Sequence, residues 1–201
     1  MACMLSTMQE VPFSVARILE FGTTAHANTK CTTWRASGAE ETTFAEIGAR
    51  AAAFAHALHS DLGIDGDQRV STLLYNCAEH IEVMFAVAAK GAVFNPLNVQ
   101  LMADQIAYVV NHSESEVIVA DPRLAEKLGT ILRDCPTVRA VAFTGIAPLD
   151  DAASHLPDTV QVHSYEQLLD GRPTSYPWPE LPENTAAALV YSTATTGAPK
   201  G

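Results

Sequence analysis

Basic residues are scarce in this chain. Lysine and arginine together number 12 against 23 aspartates and glutamates, a formal net charge of −11 over 201 residues. That balance excludes nucleic acid as a partner, because neutralising a phosphate backbone takes a basic patch. It leaves room for a small anionic ligand, for which one lysine and a few backbone N–H groups suffice. Cysteine is also sparse. Cys3, Cys31, Cys77 and Cys135 lie far apart with no C-x-x-C pair, which argues for free thiols in a reducing compartment, the cytoplasm, rather than a disulfide framework. The N-terminal stretch lacks a basic region followed by an apolar core, so no signal peptide is expected there. The longest apolar run, Val83 to Ala89, is far too short to span a bilayer. Asn111-His112-Ser113 has the form of a glycosylation sequon, which carries no weight without a secretory signal.

What is present is a chain able to build a core, with 48% hydrophobic and 17% charged residues. Val11 to Phe21 is expected as a short helix, with Pro12 in its first turn and Gly22 after it. Thr32 to Arg35 reads as a strand ended by the turn residues Ser37 and Gly38. Thr43 followed by Glu46 forms a capping-box pattern. Behind it, Phe44, Ile47, Ala51, Phe54, Ala55, Leu58 and Leu62 recur at helical spacing up to Gly63. A strand over Arg69 to Tyr75 precedes a helix over 78 to 90 that Gly91 closes. Val93-Phe94 is a short strand, Ala103 to Asn111 a helix, Glu116 to Ala120 a strand. Pro122 opens a helix to about Arg133, and Arg139 to Thr144 is the next strand. Residues 145 to 160 look loop-like, Ser164 to Asp170 helical, and 171 to 184 a Pro-rich connection. Alternation of this kind predicts an α/β fold, a mostly parallel sheet flanked by helices.

The last stretch, Thr185 to Gly201, is the most informative. Ala186 to Tyr191 is strand-like, and a loop dense in hydroxyls follows it: Ser192, Thr193, Ala194, Thr195, Thr196, Gly197, Ala198, Pro199, Lys200. Hydroxyls, free N–H groups and a cation are what a loop needs to hold phosphate oxygens. In a parallel sheet such a loop lies at the carboxyl end, where ligands bind. It is not a Walker A loop, since position 192 is serine where that motif has glycine and Lys200 does not directly follow a glycine. There is no dinucleotide G-x-G-x-x-G, no G-x-S-x-G elbow and no H-E-x-x-H. Taken by composition alone, the segment is an ordinary polar surface turn.

The order of its residues says more. Tyr191 to Gly201 closely resembles the phosphate-binding signature of the adenylate-forming enzymes, Tyr-[Ser/Thr]-[Ser/Thr]-Gly-Thr-Thr-Gly-x-Pro-Lys-Gly, at ten of eleven positions. That superfamily holds acyl-CoA synthetases, luciferases and peptide-synthetase adenylation domains. Upstream, Thr43-Phe44-Ala45-Glu46, Gly66 to Val70, Asn76-x-Ala78-Glu79-His80, Gly91 to Asn98 and Gln105 to Tyr108 resemble the N-terminal third of bacterial medium- and long-chain fatty-acyl-CoA ligases. The likeness runs from about Val11 onward. The departure is Ala194, where the family usually has glycine, and an alanine forced into a glycine conformation costs on the order of 1 kcal/mol.

The resemblance implies a two-step ligase reaction on a fatty acid with ATP and coenzyme A. Ser192, Thr193, Ala194, Thr195, Thr196 and Gly197 would offer hydroxyl and backbone donors to the ATP phosphates, Lys200 would offer charge, and Mg2+ would come with the nucleotide. An aryl-CoA ligase, an adenylation domain, or a non-catalytic binding module on the same scaffold are the alternatives. The family's adenine-binding, ribose-binding and C-terminal catalytic segments have no counterpart here. Residues 1–201 are therefore expected to form part of the N-terminal domain, without catalytic residues of their own, inactive alone and prone to self-association through an open sheet edge. Two weaker constellations are read as structural: His56 with His59 on the long helix, which lack a third metal ligand, and Cys77 with His80, whose thiol is expected to be semi-buried.

Overall fold

A computed structural model describes residues 11–145, 148–192 and 199–201. Its architecture follows from the strand β5 (Ser115–Ala120). Val117 and Val119 join one apolar cluster and Ile118 and Ala120 another, and all four are fully buried. A strand with no polar face must sit inside a sheet covered on both sides. The sheet has five strands in the order β4-β3-β5-β6-β7, all parallel, with β3 at Arg69–Leu73, β4 at Val93–Pro96, β6 at Ala140–Phe143 and β7 at Gln161–Ser164. One face is covered by α1 (Val15–Ala25), α2 (Phe44–Ser60), α3 (Ala78–Lys90) and α7 (Tyr165–Leu169), which contribute Leu19, Phe54, Val83 and Leu168. The other is covered by α4 (Ala103–His112), α5 (Ala125–Leu132) and α6 (Leu149–Ala153), with Ile106, Leu128 and Ala152. A separate antiparallel hairpin, β1 (Lys30–Arg35) and β2 (Gly38–Thr43), precedes α2.

The local signals act as physics requires. At α2, the Thr43 hydroxyl accepts from the Glu46 N–H, and the Glu46 carboxylate accepts from the Thr43 N–H at 2.8 Å, a complete capping box. Gly91 ends α3 in the left-handed region at φ 96°. Arg50 of α2 ties three helices of one layer together: it donates from Nε to Glu82 of α3 at 2.8 Å and from its terminal nitrogens to Glu166 of α7 at 2.7 and 3.1 Å. Tyr165 completes the cluster by donating to Glu82 at 2.9 Å.

Several expectations are corrected. The first helix begins at Val15, not Val11, because the Ser14 side chain accepts from the Arg17 N–H and caps it; Gly22 lies inside the helix. Pro122 opens a short 3-10 turn (Pro122–Leu124), capped by Asp121, before α5 begins. The loop expected over 145 to 160 contains α6. β7 escaped notice because it is four residues long and largely half-buried at the sheet edge, so its sequence carries no apolar run. The strand expected over Ala186 to Tyr191 is reduced to a parallel bridge of Ala188 with Phe94, held by Phe94 N–H to Ala187 O at 3.0 Å and Leu189 N–H to Phe94 O at 2.9 Å. It is not buried on both faces: Val190 is 64% exposed.

Candidate functional site

The parallel bridge at Phe94 gives the final segment the same direction as β4, so Tyr191 and Ser192 emerge past the carboxyl end of the sheet. The position is at the edge of the sheet. The chain winds outward from β3 to β4 and then the other way through β5, β6 and β7, which puts the switch point between β3 and β5. There Asp121 is pushed up by burial, but hydrogen bonds and charge from Arg123 outweigh this and hold its carboxyl below the usual value. The Arg123 guanidinium lies 4.9 Å above the Tyr75 ring.

At the sheet edge, Ser192 and Lys200 are brought together. The Ser192 N–H donates to Lys200 O at 2.8 Å, and the Lys200 N–H donates to Ser192 O at 3.3 Å. The Ser192 hydroxyl adds a third contact with the same carbonyl at 3.2 Å. Pro199 is buried while Lys200 is exposed, so the backbone is fixed and the ammonium is available to an anion. Thr193, Ala194, Thr195, Thr196 and Gly197 lie outside the described residues. Of the expected phosphate ligands, the structure thus places the first and the last, side by side.

Tyr191 anchors this pair. Its ring sits in a crevice with Leu97, Ile106 and Val109, and its hydroxyl lies 2.6 Å from His112 Nδ1. A methyl group added at Gly201 would stand 2.8 Å from the ring, so the last residue passes directly against it. Sequence reasoning missed His112, which lies 79 residues before its partner; no local pattern carries a contact of that span.

Beside the end of β4 is an apolar cavity of about 370 Å3 lined by Cys31, Thr33, Cys77, His80, Met84 and Phe94 among others. Burial keeps two of its groups, Cys77 and His80, neutral. Burial, reinforced by the Glu79 carboxylate, pushes the Cys77 thiol up to about 12. Burial pushes the His80 imidazole down, and its Nε2 contacts the Thr72 hydroxyl at 2.8 Å. No thiolate–imidazole pair forms here at neutral pH. His56 and His59 likewise have separate partners, Ser175 O and the Asp65 carboxylate. Among the described residues, no group of three His, Cys, Asp or Glu side chains is arranged to hold a metal ion. No helix among them is long and apolar enough to cross a membrane.

The paired Ser192 and Lys200 lie at the carboxyl edge of a parallel sheet. The comparisons with known proteins bear on the family and the fold. The chain is 28% identical over 199 residues to the 3-methylmercaptopropionyl-CoA ligase of Ruegeria lacuscaerulensis, covering 98% of this chain and 36% of that enzyme. It is 29% identical over 199 residues to the medium-chain-fatty-acid–CoA ligase of Ectopseudomonas oleovorans, again covering 98% and 36%. The chain therefore spans about a third of the length of the curated relatives it matches. Its fold is that of the anthranilate CoA ligase AuaEII, solved in complex with anthranoyl-AMP, with a TM-score of 0.80 over 98% of this chain and 35% of the other at 20% identity. The sequence model of one family, the AMP-binding enzymes, runs from residue 22 to residue 201 through hairpin, sheet and loop base alike, and the chain belongs to that family.

Proposed function

We propose that this chain supplies the phosphate-holding part of an ATP-dependent fatty-acid–CoA ligase. In the first step a carboxylate oxygen attacks the α-phosphorus of ATP, the bond to the bridging oxygen breaks, and pyrophosphate leaves. In the second, the sulfur of coenzyme A attacks the acyl carbonyl and AMP leaves. Ser192 and Lys200, with Thr193, Ala194, Thr195, Thr196 and Gly197 between them, hold the β- and γ-phosphates, and the Lys200 ammonium offsets charge on the departing pyrophosphate. The observation that carries the reading is the paired Ser192 and Lys200 at the carboxyl edge of the sheet, with Lys200 exposed. A fatty acid as substrate is supported by the likeness to the medium-chain ligase.

Magnesium would add charge neutralisation on the phosphates. No described carboxylate cluster fits it as a protein-held ion, so it is read as arriving with the nucleotide. We take residues 1–201 as the N-terminal part of a larger adenylate-forming domain, because the relatives extend well beyond the matched region. The adenine, acyl and CoA contacts are assigned to that remainder, and the chain by itself is expected to form no acyl-CoA. The cytoplasm is the proposed location, in keeping with free Cys31, Cys77 and Cys135.

Titration calorimetry with MgATP tests the reading on the wild type and on Lys200→Ala. Saturable binding that weakens roughly tenfold or more in the variant is expected, the usual range for a charge-assisted contact. Absence of binding, or equal binding by both proteins, would overturn it.

A further inference from the structure

Lys200 lies on the surface at a sheet edge, a place where a side chain has little to hold it. Its backbone, however, is fixed from two sides by consecutive residues. Ser192 exchanges two backbone hydrogen bonds with Lys200, at 2.8 and 3.3 Å. Tyr191 presents its ring to Gly201 so closely that no side chain fits between them. Where Tyr191 points therefore decides where Lys200 stands.

Tyr191 is in turn oriented by α4. Its hydroxyl is 2.6 Å from His112 Nδ1. The two rings meet edge to face, centroids 5.7 Å apart at 89°. One turn earlier on the helix, Tyr108 stacks on the imidazole at 5.6 Å and 25°. α4 is anchored in the second core cluster through Ile106, Val109 and Val110. Imidazole and phenol can keep this bond in either tautomer of the histidine, since Nδ1 accepts from the hydroxyl in one and donates to it in the other. A rigid helix thus reaches the lysine through Tyr108, His112 and Tyr191.

We propose that His112 is a positioning residue for Lys200, acting through the Tyr191 hydroxyl. The proposal rests on the phosphate-binding reading for its effect on nucleotide, but its structural half stands on its own.

The test uses the whole chain with H112F, which keeps the stack on Tyr108 and loses Nδ1, with Y191F, which loses only the hydroxyl, and with the double variant. Two readouts are taken: amide hydrogen exchange at Ser192 and Lys200, and MgATP affinity by calorimetry. Each single change is expected to speed exchange at both amides about fivefold and to weaken MgATP about fivefold, the loss of one hydrogen bond. The double variant should be no worse than either single one, because both remove the same bond. H112Q, which retains a polar group near the hydroxyl, should recover part of both effects. Unchanged exchange at Lys200 in H112F, multiplied effects in the double variant, or H112Q no better than H112F would overturn the proposal. If the wild type binds no MgATP, the functional reading fails, and the exchange measurements still decide the role of His112.

Discussion

Replacing Arg50 with methionine should unpair the most heavily buried charge among the described residues. Glu82 is 1% exposed, and its carboxylate takes one bond from Arg50 Nε at 2.8 Å and one from the Tyr165 hydroxyl at 2.9 Å. Burial already pushes its pKa up, and the Arg50 charge and hydrogen bond only partly offset that. Without Arg50, the buried carboxylate at neutral pH keeps one neutral donor, the Tyr165 hydroxyl, and still faces the Glu79 carboxylate. Breaking a buried pair by removing one partner costs about 3–5 kcal/mol. Arg50 is itself 32% exposed, so water reaches the site and the lower end, about 3 kcal/mol, is expected. For a chain of this size that lowers the melting temperature by roughly 6–12 °C. The sign with pH follows from linkage. A carboxyl whose folded pKa is raised destabilises the fold only where it is ionised in the unfolded state, so the penalty is absent below the unfolded value near 4.5 and grows as pH rises toward the folded one. R50M raises the folded value further. Its deficit against the wild type should be largest near pH 7.5 and shrink by pH 5, and it should nearly vanish when both are compared in an E82Q background. Urea denaturation followed by circular dichroism at the two pH values measures this. A deficit under about 1 kcal/mol at pH 7.5, or one that does not shrink at pH 5, would refute the reasoning.

Two further outcomes are expected. Gly129→Ala puts a methyl group 2.0 Å from the His155 carbonyl oxygen, where α5 meets the chain after α6; backbone must move, and a loss of about 2 kcal/mol should lower the melting temperature by roughly 4–8 °C in calorimetry. Ala186, Ala188 and Val190 are exposed along the segment beside β4, so the chain should self-associate with rising concentration in light scattering; a monodisperse monomer at high concentration would count against an open edge there.

The helices other than α6, and the inner strands, were legible in the sequence because their causes are local. Thr43 and Glu46 are three residues apart, and their capping box needs nothing else in the fold. Gly91 ends α3 because a left-handed residue there satisfies carbonyls of the preceding turn. The run from Val117 to Ala120 required cover on both faces whatever that cover turned out to be. The misread segments owe their state to neighbours. Gln161–Ser164 is a strand because β6 offers it a partner edge, not because its residues alternate. Leu189, Val190 and Tyr191 look like β5 in sequence, yet they lie at the edge, and β4 bridges their segment only at Ala188.

The site divides the same way. The order of hydroxyls, glycine, proline and lysine after Tyr191 is a property of adjacent residues, so the sequence alone carried the phosphate-binding expectation and the family resemblance. That Ser192 and Lys200 pair, that Tyr191 is held by His112 across 79 residues, and that Arg50 meets Glu82 across 32 residues and Glu166 across 116 were decided by tertiary structure. Hydrogen bonds and ring contacts act over a few ångströms of space, and separation along the chain says nothing about such distances until the sheet has brought its ends together.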